Sequence, residues 1–532
     1  MKNSFFLVLP SQQKSSKRLK LYEEETLSQW IVDLPTANQG LTTRLFHDFI
    51  KELNRTCMSV QLRLETLEAL KPSFLEIEDY LRIRLIKRGF PKGENEQKIL
   101  NVVVSLEKEF SLGYWIAAKE LTLRSGGWFQ GKNTALAIQR TVKGLGDIIV
   151  THYMMYLTVP DWVWIDLHSL YKLSVKMKKN NTRVPDDLDN PSDESSITES
   201  YLQILLLSLT DACGLMQKEV QQVYRFIGKF TNLAALQKTP VTTHKRQCVV
   251  RVDEDAPPEF EREGHVTNTE KLYLNFTELY KVIAQPDKMI DKNNHRFNSI
   301  NIVKNPTEKL STELVDYLAQ RWIGTTHQGM PCFVDRLDRF FSIGLETTHE
   351  LQQSSELQQN KTLEYLAQSA SEKALSCCFD KEGLVSTGSL ISFRKIDTPQ
   401  NQRALGVIEK ISMPKRKKNQ LDFEIKLIAS KIYAVSYVLK DKTGQNFPQN
   451  ALFYNEKSDN TPKQFIIIES YLLKEGDVIQ LTLLPDKFWV ELSNKKNVGL
   501  GYWQFECKRI VELKAKPKRV KKTEEKKGYD FI

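Results

Sequence analysis

The spacing of hydrophobic residues changes near residue 335, and this change constrains the fold more than any other feature of the sequence. In the first third of the chain, apolar residues recur every three or four positions, as at Leu67 and Leu70 or at Leu81 and Leu85, which predicts helices. After Asp335 they occur in short β-branched or aromatic runs separated by turn residues, which predicts strands. The two patterns occupy separate parts of the chain, so we expect an α+β multidomain protein.

The 532 residues exceed what one compact core normally holds, at about 150 residues per domain. Shifts in composition along the chain suggest the domain boundaries. We expect an N-terminal all-α helical bundle at 1–178, an acidic loop at 179–199, helical segments with a small β-containing connector at 200–330, an antiparallel β-barrel at 331–511, and a basic disordered tail at 512–532.

Helix boundaries within the bundle are predicted from proline and from capping residues. Pro72 and Pro91 are expected where helices start or stop, because proline lacks an amide donor. Asp161 is expected to cap a strongly apolar helix that follows it. That helix carries His168, for which no second ligand lies at helical spacing, so we interpret this histidine as structural.

The acidic stretch at 179–199 contains several aspartates, including Asp186 and Asp193, and almost no apolar side chains. We expect a solvated, mobile loop. It does not predict a calcium site, because the turn glycine and the closing glutamate of a calcium loop are missing.

The length of the apolar runs and the cysteine usage indicate a cytoplasmic protein without a membrane span. No apolar run approaches the ~18 residues that a transmembrane helix requires. The seven cysteines form no CxxC pair and are odd in number, which favours reduced thiols. Much of the net charge of +10 sits in two basic runs, Lys415–Lys418 and Lys514–Lys527, which we interpret as a solvated loop and the tail.

The sequence contains no motif that predicts catalysis. Phosphate-loop, nucleophile-elbow and zinc-protease signatures are missing, and no His and Cys residues occur at metal-ligand spacing. We therefore expect a non-enzymatic binding or regulatory protein with no catalytic residues, no metal and no resident cofactor.

A family resemblance begins at Tyr201. Its cues, in chain order, are a helical run at Ser200–Leu209, a strand leading into Asp253–Pro258, the segment Phe341–Leu345, and Gly388–Ile391 followed by Ala404–Ile408. These features resemble long-form bacterial proteins with a helical N-terminal region and a C-terminal PilZ domain, a domain known for binding cyclic di-GMP. The resemblance covers roughly residues 200–500. It implies a PilZ-like barrel in a cytoplasmic regulatory or adaptor protein whose helical region contacts a protein partner.

PilZ domains hold cyclic di-GMP with an RxxxR segment and a [DN]xSxxG turn, and both are eroded here. Arg336 and Arg339 are spaced by three, whereas the family spacing is four. The nearest match to the turn has Cys378 in place of Asp or Asn and Asp380 in place of Ser, but it keeps Gly383. These five residues are the candidate ligand contacts. Because a carboxylate at Asp380 would repel phosphate, the resemblance implies weakened or lost nucleotide binding.

Nucleic-acid binding is the alternative, and we rank it second. It is motivated by the net charge, by the basic tail, and by a small barrel that could expose Phe488, Trp489 and Trp503 for base stacking.

Overall fold

Helices dominate the chain up to residue 228. The computed structural model describes residues 5–123, 130–186, 193–261, 270–285, 289–291, 295–297, 309–325, 331–414, 419–439, 447–456, 463–470 and 472–510. The helices are α1 (Ser16–Leu19), α2 (Glu24–Val32), α3 (Gln39–Arg55), α4 (Val60–Ile86), α5 (Glu94–Leu123), α6 (Gln130–Met154), α7 (Val163–Lys176), α8 (Ile197–Ser208), α9 (Gln217–Gly228), α10 (Thr277–Ile283), α11 (Thr312–Trp322) and α12 (Leu345–Leu351). Within these residues, no helix has the length and apolar character needed to cross a membrane.

Pro72 does not end a helix, so that prediction is wrong. It lies inside α4, which continues for 27 residues. Leu67, Leu70, Phe74 and Ile77 are buried on both sides of the proline. The burial of these side chains outweighs the single backbone hydrogen bond that proline cannot donate. Pro91, in contrast, lies between α4 and α5, as expected.

The cap of α7 also differs from its prediction. The N-cap position is Trp162, not Asp161, and no side chain of the N-cap residue bonds to the helix. The Asp255 carboxylate instead accepts hydrogen bonds from the backbone amides of Trp162 and Ile165, at 2.5 and 3.0 Å. A distant loop supplies this cap, and local sequence reasoning cannot detect a capping residue that is 90 positions away.

His168 is a buried structural residue, as predicted. Its Nδ1 lies 2.6 Å from the Tyr201 hydroxyl and its Nε2 lies 3.0 Å from the Ala256 carbonyl oxygen. Burial lowers the pKa of His168 to about 4, so the ring is neutral at physiological pH.

Two small antiparallel sheets accompany the helices. A hairpin pairs β1 (Val184–Pro185) with β2 (Glu194–Ser195). The connector contains β3 (Ala235–Gln237), β4 (Cys248–Arg251), β5 (Glu259–Phe260) and β6 (Lys271–Asn275), in the order β3-β6-β4-β5. The β-branched run at Val249–Val250 lies in β4, one of the two inner strands of this sheet.

The C-terminal third forms two closed antiparallel barrels of six strands each, where the sequence predicts one. The first consists of β7 (Arg339–Ile343), β8 (Tyr365–Ser369), β9 (Ala374–Cys378), β10 (Leu390–Lys395), β11 (Ala404–Ser412) and β12 (Gln420–Ala429). The second consists of β13 (Tyr433–Leu439), β14 (Gln449–Glu456), β15 (Lys463–Ile468), β16 (Val478–Leu483), β17 (Asp486–Gly499) and β18 (Tyr502–Arg509). The α+β layout is therefore confirmed.

Hydrophobic clusters join these units. Phe90 and Tyr156, from the helical unit, stack with ring centroids 4.8 Å apart and belong to the core of the first barrel. The Tyr156 hydroxyl donates to the Leu215 carbonyl oxygen at 2.6 Å and lies 3.1 Å from Thr387 Oγ1. A further cluster, which includes Leu405 of the first barrel, joins both barrels. Helices and barrels therefore share apolar cores.

Candidate functional site

A cleft of about 1160 Å³ opens among α4, α5, α6, α8, α9 and the β1–β2 hairpin. We call it the helical cleft. Its cationic lining residues include Lys71, Arg82, Arg140, Lys143 and Arg225, and acidic side chains alternate with them. A wall of this kind suits a polar ligand that carries charge.

Two helices, α4 and α6, each carry a stripe of charged residues along one face, and this stripe supplies cationic side chains to the cleft. On α4, Lys71, Glu78 and Arg82 follow one another at helical spacing, and Arg140 and Lys143 do so on α6. Residues three, four or seven positions apart lie on one face of a helix. The sequence-based prediction misses this site, although the stripe is readable in the sequence.

A buried ionic cluster lies at the inner end of the cleft. Arg82 donates to Thr151 Oγ1 at 3.1 Å and to a Glu107 carboxylate oxygen at 3.0 Å, and it lies 3.1 Å from a carboxylate oxygen of Glu78. Burial raises the pKa of Glu107 to about 7 and that of Glu78 well above its usual range, although Arg82 opposes both shifts. One guanidinium therefore faces more carboxyl groups than it can neutralise.

At the outer end of the cleft, three cations surround one aspartate. The Asp186 carboxylate pairs with Lys143 and lies 3.8 Å from Arg140, and the Lys71 ammonium donates to the Asp186 backbone carbonyl at 3.2 Å. Arg140 also donates to both carboxylate oxygens of Glu68, at 3.0 Å each. The expectation of a solvated loop is therefore wrong at Asp186, whose side chain is only 20% exposed. Residues 187–192 lie outside the described part of the chain.

The ionisation of this outer cluster is shifted by its surroundings. Burial and the neighbouring Arg140 lower the pKa of Lys71 to about 8. Burial alone would raise the pKa of Asp186, but Lys143 and Arg140 hold it below its ordinary value. Asp186 is therefore an anion at neutral pH, held in place by cations.

Metal chemistry finds no support in the residues that the structure describes. Among them, no group of three or more His, Cys, Asp and Glu side chains is arranged to hold a metal ion. Cationic and acidic side chains line the helical cleft in nearly equal numbers, and its guanidinium and ammonium groups are the groups that can bind an anionic ligand.

The two arginines predicted as ligand contacts lie at one end of the first barrel. Arg336 is exposed, donates to the Ala370 carbonyl oxygen at 3.4 Å, and lies 4.0 Å from Glu372. Arg339 begins β7, is buried, and donates to both carboxylate oxygens of Asp335 at 2.6 and 2.8 Å. The Arg339 guanidinium thus already has a carboxylate partner within its own segment.

The predicted turn begins at the last residue of strand β9. Cys378 is the exposed last residue of β9, and Asp380 and Gly383 follow it. Gly383 has a φ of 73°, and its amide donates to the Pro91 carbonyl oxygen at 2.9 Å. Phe340 of β7 pairs with Leu366 of β8, whose carbonyl oxygen accepts from Cys377 Sγ at 3.5 Å, so the start of β7 and the end of β9 lie two strands apart. A ligand-binding role for the arginines and for the turn stays a prediction.

The aromatic residues of the nucleic-acid alternative are only partly accessible. Trp503 is buried in the core of the second barrel, where the Lys495 ammonium lies 4.4 Å from its ring centroid. Phe488 packs partly against that core, and Arg509 lies over its ring at 4.8 Å. The expectation that Trp503 is exposed for base stacking is therefore wrong. Both basic runs lie outside the described residues.

Comparison with known proteins identifies similarity in the helical half of the chain. Residues 25–241 match the model of the family described as "Cyclic-di-GMP receptor FimW, N-terminal domain". A curated protein from Pseudomonas aeruginosa, named "Cyclic-di-GMP receptor FimW", is 24% identical over 234 residues. That similarity covers 44% of this chain and 38% of the P. aeruginosa protein. No solved structure matches the chain. The helical half of this chain is thus similar to the N-terminal domain of a cyclic-di-GMP receptor.

Proposed function

We propose that this protein is a non-enzymatic regulator that responds to cyclic di-GMP. The observation that carries the proposal is the similarity of residues 25–241 to the N-terminal domain of a cyclic-di-GMP receptor. The cationic residues of the helical cleft, from Lys71 to Arg225, all lie inside that range. The similar segment and the charged cleft therefore coincide.

The chemistry of the cleft supports a dinucleotide ligand. Cyclic di-GMP presents two phosphates and two guanine rings, so a receptor needs cations and flat surfaces in one place. The cleft lining includes the half-buried ring of Tyr224 beside its cations. Its volume of about 1160 Å³ is above the ~300–1,000 Å³ of ordinary small-molecule sites, which leaves room for a ligand of this size.

We further propose that the first barrel is a PilZ-like domain whose own nucleotide binding is weakened or lost. Two observations support this view. Arg339 is already bound to Asp335, and Gly383 packs against the helical unit through Pro91.

The protein is proposed to act in the cytoplasm and to pass its signal to a protein partner through the helical region. All seven cysteines are free thiols, which fits a reducing compartment. The helical unit offers long helix faces of the kind that partner proteins bind.

Isothermal calorimetry of the full chain tests the proposal. Cyclic di-GMP should give saturable heat, whereas GMP at equal concentration should give none, because a mononucleotide cannot engage two phosphate contacts at once. Arg336→Ala should leave the affinity within about twofold of wild type if the barrel no longer binds the ligand. Absence of heat with cyclic di-GMP would overturn the proposal. A loss of tenfold or more in Arg336→Ala would overturn its PilZ-like part only.

A further inference from the structure

Asp186 occupies a position in which an anionic ligand would bind. Its carboxylate pairs with Lys143 and lies within 3.8 Å of Arg140, and Lys71 donates to its backbone carbonyl at 3.2 Å. Two helices, α4 and α6, supply these cations, and the hairpin supplies the anion. The cationic groups therefore belong to two long helices, while the anion follows the two-residue strand β1.

Three carboxylates lie near the three cations at this position. Glu68 accepts two hydrogen bonds from Arg140, Asp186 lies beside Lys143 and Arg140, and Asp147 is close enough to Lys143 and Lys71 for both to oppose the rise in its pKa that burial causes. If the Asp186 side chain moved away, the three cationic groups would face two carboxylates. A concentration of positive charge in a partly buried cleft attracts anions strongly, because the surrounding protein screens charge less than water does.

The hairpin before and after Asp186 is anchored to the helices by residues other than Asp186, since Arg140 donates to the Pro185 carbonyl oxygen at 2.8 Å and Val184 is fully buried. Each of its strands has two residues, and the Asp186 amide donates to the Asp193 carbonyl oxygen at 2.9 Å. Gln139 Nε2 donates to the Asp186 carboxylate at 3.3 Å, a longer contact than its 2.9 Å bond to Ser195. Moving the Asp186 side chain therefore disrupts little besides its ion pairs.

We propose that Asp186 is an internal substitute for a ligand phosphate, and that cyclic di-GMP binds the helical cleft with one phosphate against Lys71, Arg140 and Lys143 in place of the Asp186 carboxylate. The proposal rests on the proposed function and adds to it the site and the competing group. The side chain of Lys143 is accessible, since it is 30% exposed. A phosphate can approach it from the open side of the cleft.

Two substitutions should shift cyclic di-GMP affinity in opposite directions. Lys143→Met removes a charge-assisted contact and should weaken binding about tenfold or more. Asp186→Asn keeps the shape of the side chain but removes the competing charge, so it should tighten binding by up to about tenfold. Lys143→Arg retains the charge and should stay within a few-fold of wild type.

A second lysine–aspartate pair in the helical half provides the matched control. Lys172 pairs with Asp253 away from the cleft lining. Lys172→Met and Asp253→Asn should therefore leave the affinity within about twofold of wild type. All titrations use the full chain at one ionic strength, and a melting curve for each variant shows that it is folded.

The outcomes separate this inference from the proposed function. If wild type binds but Lys143→Met binds equally well, the assigned site is wrong and the proposed function stands. If Asp186→Asn weakens binding in a folded protein, Asp186 supports the site and does not compete for it, which also overturns the inference. If wild type gives no heat with cyclic di-GMP, both proposals fail.

Discussion

Replacing Phe90 with alanine should destabilise the first barrel, although Phe90 lies some 250 residues before it. The side chain is fully buried, stacks on Tyr156 with centroids 4.8 Å apart, and belongs to the barrel core. Its backbone exchanges hydrogen bonds of 2.7 and 2.9 Å with Val385. Truncation of a buried phenylalanine destabilises a protein by about 3–5 kcal/mol, because apolar contacts are lost and a cavity remains. That is a large fraction of the ~5–15 kcal/mol that stabilises a typical domain.

Chemical denaturation followed by circular dichroism measures this effect. The Phe90→Ala transition should move to clearly lower denaturant, with a stability loss in the predicted range. Phe447→Ala is the matched control, since Phe447 is 86% exposed and its truncation should change stability by less than about 0.5 kcal/mol. If both variants unfold at the same denaturant concentration as wild type, the reasoning that Phe90 completes the barrel core is refuted.

Three further predictions concern buried charges and thiols. Glu364→Gln removes the carboxylate that two fully buried guanidiniums share, and it should lower the free energy of unfolding by about 3–5 kcal/mol in denaturant titration; a change below 1 would contradict this. Burial raises the pKa of Glu107 to about 7, so the folded state binds this proton more tightly than the unfolded state does. The free energy of unfolding should therefore fall as the pH rises from about 4.5 to 7. Glu107→Gln should flatten this pH profile, which a pH series of melting curves would detect. Among the vicinal thiols, exposed Cys378 should react with iodoacetamide well before Cys377, whose pKa burial raises to about 12; equal labelling by peptide mass spectrometry would contradict the structure.

The sequence predicts only some of the strands in each barrel. Runs rich in β-branched or aromatic residues, such as Leu421–Leu427, coincide with strands. Strand β9, Ala374–Cys378, has no such residues, and its end resembles a ligand turn more than a strand. Strand β14, Gln449–Glu456, has polar residues at both ends. Because propensity is weak in such segments and pairing with neighbours determines the strand, the sequence suggests one barrel where the fold has two.

The helical cleft is hard to predict for a different reason. The charges of α4 and α6 are visible in the sequence, but their convergence depends on how the helices pack. Position Gly144 illustrates this dependence, because a Cβ there would lie 1.9 Å from Ser111 Oγ on α5. The close approach of α5 and α6 is a tertiary property, and so is the placement of Asp186 between the cations.

Because Phe90 and Tyr156 fill the core of the first barrel, a shortened protein that starts at residue 331 would contain all twelve strands and still have an empty space where two aromatic rings belong. Such a fragment would expose apolar walls to water, and would tend to aggregate or to bind whatever aromatic group is offered. Studies of nucleotide binding by the barrels therefore need the helical half attached, or a peptide that restores those two rings.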